Sequence, residues 1–269
     1  MRFNITPVVK SLLIINILIF ALDAILPMNL NELLALRHIQ SEYFKPYQFI
    51  TYMFLHANLG HVFFNMLGLF FFGPLLEQVL GPKRFLTFYM IAGIGAGVLY
   101  GGVNYYEINR VEKAVNEYIA DPNPDAFVTF FYDHGEDYLK RTREYTRVFQ
   151  FMNEQFPEAP NEPQNIESSI QIANNVYYIA SNFSTMVGAS GAIFGILMAM
   201  ALLFPNMEVM LLFPPIPLKI KYMVLIFGGY SIYSILQDNP GDNVAHLAHL
   251  GGMLFGFVLV KYWKLPRYH

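Results

Sequence analysis

Three stretches of the chain put reactive or hydrogen-bonding side chains inside apolar sequence. In "MVGASGAIFG" the hydroxyl of Ser190 is set among glycines at the head of an apolar run. In "NVAHLAHLGGMLFG" two imidazoles, His246 and His249, sit within another. In "HANLGHVFFNMLG" His61 and Asn65 are four residues apart. On a helix they share one face, and both can donate hydrogen bonds to one point.

These residue types suit acyl transfer. A serine hydroxyl is a poor nucleophile until a base takes its proton as it attacks. Imidazole fits that role because it titrates near neutrality. Attack on an amide creates an oxyanion, which needs donors placed in advance. His61, Asn65 and the backbone N–H of Ser190 form such a set. No Asp or Glu holds a third position suited to orienting the histidine. Asp242 lies several residues before His249 and belongs to the expected outer loop. A Ser–His dyad therefore fits better than a triad.

A serine and a histidine on different helices meet only if those helices pack closely. Gly191 and Gly195 are four apart beside the serine, and Gly252 and Gly256 are four apart beyond His249. This small-xxx-small spacing lets backbones approach in lipid. Either pair alone is more often a packing device without catalysis, and Ser190 alone has the same bland reading as a small packing residue. Four glycines flanking one nucleophile and one base weigh towards chemistry.

The elements that must position these residues are membrane helices. The 269 residues are 55% hydrophobic and only 14% charged, against about 25% charged in a typical soluble domain. Mean hydropathy is +0.36. A net charge of −3 gives no ground for nucleic-acid binding. There is no cysteine, which excludes disulfides, thiolate metal sites and cysteine nucleophiles. Six apolar runs, near 11–26, 61–76, 84–103, 186–204, 220–236 and 244–263, are about long enough to cross a ~30 Å hydrocarbon core, the second being short. The first follows Arg2 and Lys10 but lacks a small-x-small cleavage site, so it reads as a retained anchor. Asp23 within it belongs to no motif and reads as a snorkelling or locally bonded residue.

Basic residues give the direction. Arg2, Lys10, Lys83, Arg84, Lys219 and Lys221 fall on one side, as do Lys261, Lys264 and Arg267. Among short loops the other side has only Arg37 and Lys45. Both termini are then expected in the cytoplasm. The "LLFPPIPLKIK" interruption becomes a turn in a cytoplasmic link.

Residues 104–178 break the pattern, with 13 acidic and six basic side chains. They are expected outside, between spans three and four. "YYEINRVEKAVNEYI" and "DYLKRTREYTRVFQFMNEQF" have helical apolar spacing with polar faces. "DPNPD" separates them as a turn, and "PEAPNEPQN" reads as an irregular link. The expectation is an acidic extramembrane helical insertion, lying on the lipid surface or standing as a solvated hairpin.

Taken together, the three motifs resemble those of the rhomboid intramembrane serine proteases. "HANLGHVFFN", "GASGAIFG" and "AHLAHLGGMLFG" occur in the family's order and on the expected spans. The resemblance covers about 11–103 and 179–263. It implies an all-α, polytopic, six-span bundle made of 1–103 and 179–269, interrupted by the 104–178 insertion. It implies that Ser190, after Gly188 and Ala189, is the nucleophile and that His249 is the general base. His249 has Gly252 and Gly256 at +3 and +7, whereas His246 has His249 and Met253 there. His61 and Asn65 match the oxyanion pair, and Phe194 an aromatic against which the base packs. His56 matches a second first-loop histidine expected to be structural.

The substrates implied are single-span membrane proteins cut within or beside their span, in the lipid bilayer and with no cofactor or metal. The membrane expected is a bacterial inner or plasma membrane. Two departures stand out. Tyr47 and Gln48 occupy the place of the family's Trp-Arg pair, which touches the loop's lipid contacts rather than the chemistry. The insertion would sit on the face where the site opens, and so could gate or recruit substrate.

Three other readings compete. A catalytically silent rhomboid-like protein that binds membrane clients would share the fold, but it would lack the catalytic pair. A zinc enzyme could draw on His56, His61, His246 and His249, yet no Glu follows in an HExxH pattern. A transporter would show repeats and broken helices, and no internal repeat is evident.

Overall fold

The computed structural model describes residues 4–140, 142–210, 216–237 and 240–268, with the side chains of 240–245 outside that description. Arg2, the Asp242 side chain and the 211–215 part of the link expected on the cytoplasmic side therefore lie outside the described residues. The chain divides into two units. The first is Met1–Leu36, Lys45–Tyr100 and Met186–His269, and the second is Arg37–Phe44 and Gly101–Thr185.

In chain order, α1 (Pro7–Ile25) is followed by the single turn α2 (Leu30–Leu34), the two-residue strand β1 (Leu36–Arg37) and α3 (Gln48–Thr51). Then come α4 (Leu59–Leu80) and the 39-residue α5 (Pro82–Ala120), which contributes to both units. Five short or medium helices follow: α6 (Pro124–Phe130), α7 (Glu136–Leu139), α8 (Tyr145–Gln150), α9 (Phe156–Glu158) and α10 (Pro163–Phe183). After β2 (Thr185–Met186) the chain returns to the first unit with α11 (Ser190–Leu203), the hairpin strands β3 (Glu208–Met210) and β4 (Pro217–Lys219), α12 (Ile220–Leu236) and α13 (Pro240–Tyr262). β3 and β4 are antiparallel, with Glu208 opposite Lys219.

Local chemistry sets the ends of these helices. Pro7 starts α1, where a missing N–H costs nothing. Asn58 caps α4 by accepting from the His61 N–H at 2.9 Å. Gly81, at φ 76°, ends α4, and Pro82 opens α5. Among the described residues α1, α4 and α5 are long and apolar enough to cross a membrane, and α11 and α12 are shorter apolar helices.

A buried carboxylate ties α1 to α4. Glu77 accepts from the backbone N–H of Val8 at 3.1 Å and of Val9 at 3.0 Å, and from the Thr6 hydroxyl. It thereby satisfies the otherwise orphaned donors at the start of α1. Asp23 bonds locally, accepting from the Leu30 N–H at 2.9 Å and the Asn31 amide at 2.8 Å.

The second unit has its own core, in which Phe127, Phe131, Phe156, Leu139 and Ala173 are fully buried. The Tyr118 hydroxyl donates to Ser169 across it. Arg37–Phe44 is fastened to this unit through Ser41 to Asn182 at 2.9 Å and His38 to Asn104 at 3.0 Å.

The helix expected over "YYEINRVEKAVNEYI" is present, as the continuation of α5 past Val103. Two other expectations need correction here. The helix over "DYLKRTREYTRVFQFMNEQF" is split, because a turn with Thr142 N–H bonded to Leu139 O separates α7 from α8. The link over "PEAPNEPQN" is shorter than expected, since Pro163 already starts α10, a 21-residue helix absent from the sequence reading.

Candidate active site

Ser190 is the first residue of α11, directly after an N-cap at Ala189. The chain reaches it through Gly188, whose φ of 124° lies where side chains rarely go. Space forbids a side chain there as well. A Cβ on Gly188 would come 2.7 Å from both Cε1 and Nε2 of His61, and 3.7 Å from Oγ of Ser190. The His61 ring and the Ser190 hydroxyl thus surround one point that only glycine leaves open. The Gly188 N–H is held by the carbonyl of Tyr52 at 2.9 Å. The Tyr52 hydroxyl in turn donates to Gly93 O at 2.7 Å.

His61 has a defined tautomer. Its Nδ1 accepts from the backbone N–H of Ala57 at 3.4 Å. In the neutral ring the proton then sits on Nε2, the atom beside Gly188. Asn65 follows one turn later on α4 and is buried, with its Nδ2 lacking a hydrogen-bond partner among the described residues. Three residues further, a Cβ on Gly68 would meet Ile193 of α11 at 3.0 Å. His61, Asn65 and Gly68 recur every three to four residues, so this face of α4 is the one turned to α11.

His249 is held by α11. Its ring stacks on Phe194, with centroids 3.9 Å apart and planes 6° from parallel. Phe194 is one turn beyond Ser190, so the ring lies over the first turns of α11. The glycines allow this approach. A Cβ on Gly252 would fall 1.8 Å from the carbonyl oxygen of Gly191, and one on Gly256 would fall 2.6 Å from that of Gly195. Real Cβ atoms do not come so near, so α11 and α13 touch backbone to backbone.

His246 sits differently. It is buried, and its Nδ1 lies 3.3 Å from the Ser231 hydroxyl of α12. His56 is also buried and stands edge-on to His61 at 5.1 Å between centroids. Burial, and then the neighbouring His61, pull its pKa down to about 4. Gln48 is buried, with its amide donating to Leu33 O at 3.2 Å, while Tyr47 is exposed. Glu77 was missed by the sequence reading. The only signal for it was an acidic residue at the end of an apolar run.

A Rhomboid domain model matches residues 43–108 and 168–264. The chain belongs to the rhomboid family. Residues 109–167 lie between the two matched stretches. A mitochondrial rhomboid protein of Schizosaccharomyces pombe, described as uncharacterized, is 26% identical over 247 residues, covering 84% of this chain and 55% of that protein. The mitochondrial RHOMBOID-like protein 12 of Arabidopsis thaliana is 32% identical over 74 residues, 28% of this chain and 22% of that one. The rhomboid protease GlpG of Yersinia pestis is 25% identical over 123 residues, 44% of each chain. The chain thus spans about half the length, or less, of these rhomboid relatives. It is an integral membrane member of the family.

Proposed function

We propose that this rhomboid is an intramembrane serine endopeptidase that cuts single-span membrane proteins within or beside their span. Ser190 Oγ attacks the scissile carbonyl while His249 takes its proton. The oxyanion that forms is stabilised by Nε2–H of His61, Nδ2 of Asn65 and the N–H groups at the start of α11. The C–N bond then breaks and His249 returns the proton to the leaving amine. Water, activated by the same imidazole, releases the acid from Ser190. The chemistry needs no metal or organic cofactor.

The observation that carries this reading is the His61 ring beside Ser190, with a buried amide one turn further along α4. Nε2–H of His61 borders the open point beside the hydroxyl, and Nδ2 of Asn65 is a buried donor with no partner among the described residues. A buried donor left unpaired costs about 1–3 kcal/mol. A site meant to bind a transient oxyanion is a reason to keep one. The stacking of His249 on Phe194 supports its role as base.

The finer placement is also a proposal. Six spans are formed by α1, α4, the first part of α5, α11, α12 and α13. Both termini lie with the basic residues, on the cytoplasmic side of a bacterial inner or plasma membrane. The two relatives named as mitochondrial favour a second setting, a membrane of that organelle. Residues 104–178 form an extramembrane unit that gates or recruits substrate. Removing them and finding unchanged cleavage across several substrates would dismiss that role.

The test uses wild type, Ser190→Ala and His249→Ala in liposomes with a labelled single-span substrate. Cleavage by wild type alone, with a chelator present, is the expected result. Folded wild type that binds membrane clients and cuts none would favour the catalytically silent reading instead.

A further inference from the structure

His246 belongs to none of the roles above, yet it is buried beside the site. Residues of two helices stand beside it. On α12, Phe227, Tyr230 and Ser231 recur at i, i+3 and i+4 and so share one face. Ser231 is itself buried, and its hydroxyl lies 3.3 Å from Nδ1 of His246. The Tyr230 ring stands edge-on to His246 at 5.3 Å. Phe227 packs on Phe194 at 6.0 Å. On α13, the His246 and His249 rings are perpendicular, with centroids 6.0 Å apart.

His249 is therefore bracketed. One side of it is fixed by Phe194, which α12 supports through Phe227. A second neighbour is His246, which α12 holds through Ser231. The base has no carboxylate in the sequence suited to orient it, so its ring must be set by packing and by neighbours.

We propose that His246, anchored by Ser231, is a positioning residue that holds His249 in the orientation needed to take the proton from Ser190. The proposal rests on the dyad reading of Ser190 and His249. An apolar residue at 246 would fill space but could not hold to Ser231.

The experiment measures two rates on folded, reconstituted protein: labelling of Ser190 by a fluorophosphonate, and cleavage of a single-span substrate. In labelling, the Ser190 Oγ–P bond forms, fluoride leaves and the serine proton passes to His249. The variants are His246→Leu, His246→Asn, Ser231→Ala and the Leu/Ala double. We expect His246→Leu to slow labelling and kcat at least tenfold with KM nearly unchanged. His246→Asn keeps a hydrogen-bonding group near Nδ1 and should recover much of that loss. Ser231→Ala should cost a few-fold, and His246→Leu should then cost less in that background than alone.

Wild-type labelling in His246→Leu would overturn the proposal. So would equal losses in the Asn and Leu variants, since packing alone would then explain them. If His246→Leu does not fold, Ser231→Ala decides: an unchanged labelling rate in that variant counts against the proposal. Absence of Ser190 labelling in folded wild type would instead refute the dyad reading itself.

Discussion

The imidazole of His249 lies flat on the ring of Phe194, 3.9 Å between centroids and 6° from parallel. The two residues come from α13 and α11, so the contact fixes the proposed base relative to the helix that starts at Ser190. Stacking of this kind limits ring rotation while leaving the ring nitrogens available.

Replacing Phe194 should consequently affect the chemical step more than substrate binding. An aromatic pair contributes about 0.5–1.5 kcal/mol beyond its buried area. Phe194→Leu is expected to lower kcat by a few-fold to about tenfold with a small change in KM, and Phe194→Tyr should stay near wild type. Steady-state cleavage in liposomes checks this, and a change confined to KM would speak against it.

The close approach of α11 and α13 makes glycine positions unequal. Gly252→Ala sets a Cβ 1.8 Å from a backbone oxygen that cannot turn aside. It should abolish Ser190 labelling and strongly lower the melting temperature. Gly102→Ala meets nothing within 4 Å on α5. It should be tolerated, or stabilise by about 1 kcal/mol through helix propensity. Thermal melting of both variants in one detergent separates the two cases.

Glu77 predicts a stability effect without a catalytic one. Glu77→Ala leaves the Val8 and Val9 N–H groups without their acceptor, at about 1–3 kcal/mol for the buried Val9 donor and less for the part-buried Val8 one. The melting temperature should fall, while protein that remains folded should label at Ser190 at the wild-type rate. A folded variant with a tenfold slower labelling rate would mean that Glu77 acts on the site.

His56 lies in the loop before α4 and gives a pH prediction. Its folded pKa is about 4, below the ordinary 6.5, because of burial and the nearby His61. Between those values the unfolded chain binds a proton that the folded protein refuses. Stability should therefore be greatest above about pH 6.5 and decline as the pH falls towards 4. His56→Phe should flatten that decline, read as melting temperature against pH. An identical slope in the variant would assign the acid sensitivity to other groups.

Much of this architecture was legible in the sequence, for reasons that also explain what was not. The run at 220–236 matches α12 residue for residue because both its ends coincide with a loss of hydropathy. The end of α5 does not behave this way. Hydropathy falls near Val103, but a fall in hydropathy marks where lipid could end and not where a helix does. The helix α10 was hidden because Asn, Ser and the β-branched Ile and Val that fill it are indifferent helix formers. It is held by a narrow buried stripe of Ser169, Ala173, Val176 and Ala180, whose value depends on the aromatic core they meet.

At the site, residue types and spacing were readable, since His61–Asn65 and Gly252–Gly256 are helix-periodic. The Nδ1 bond that sets the His61 tautomer depends on the fold around Ala57, and no local pattern announces it. The same holds for Ser231 beside His246, which joins two helices.

The most direct test of the central claim is to locate the adduct of a fluorophosphonate probe by mass spectrometry in wild type and in His249→Ala. The account predicts a single adduct on Ser190 that forms in wild type and is lost in His249→Ala. An adduct on another residue, or equal labelling of Ser190 without His249, would contradict it.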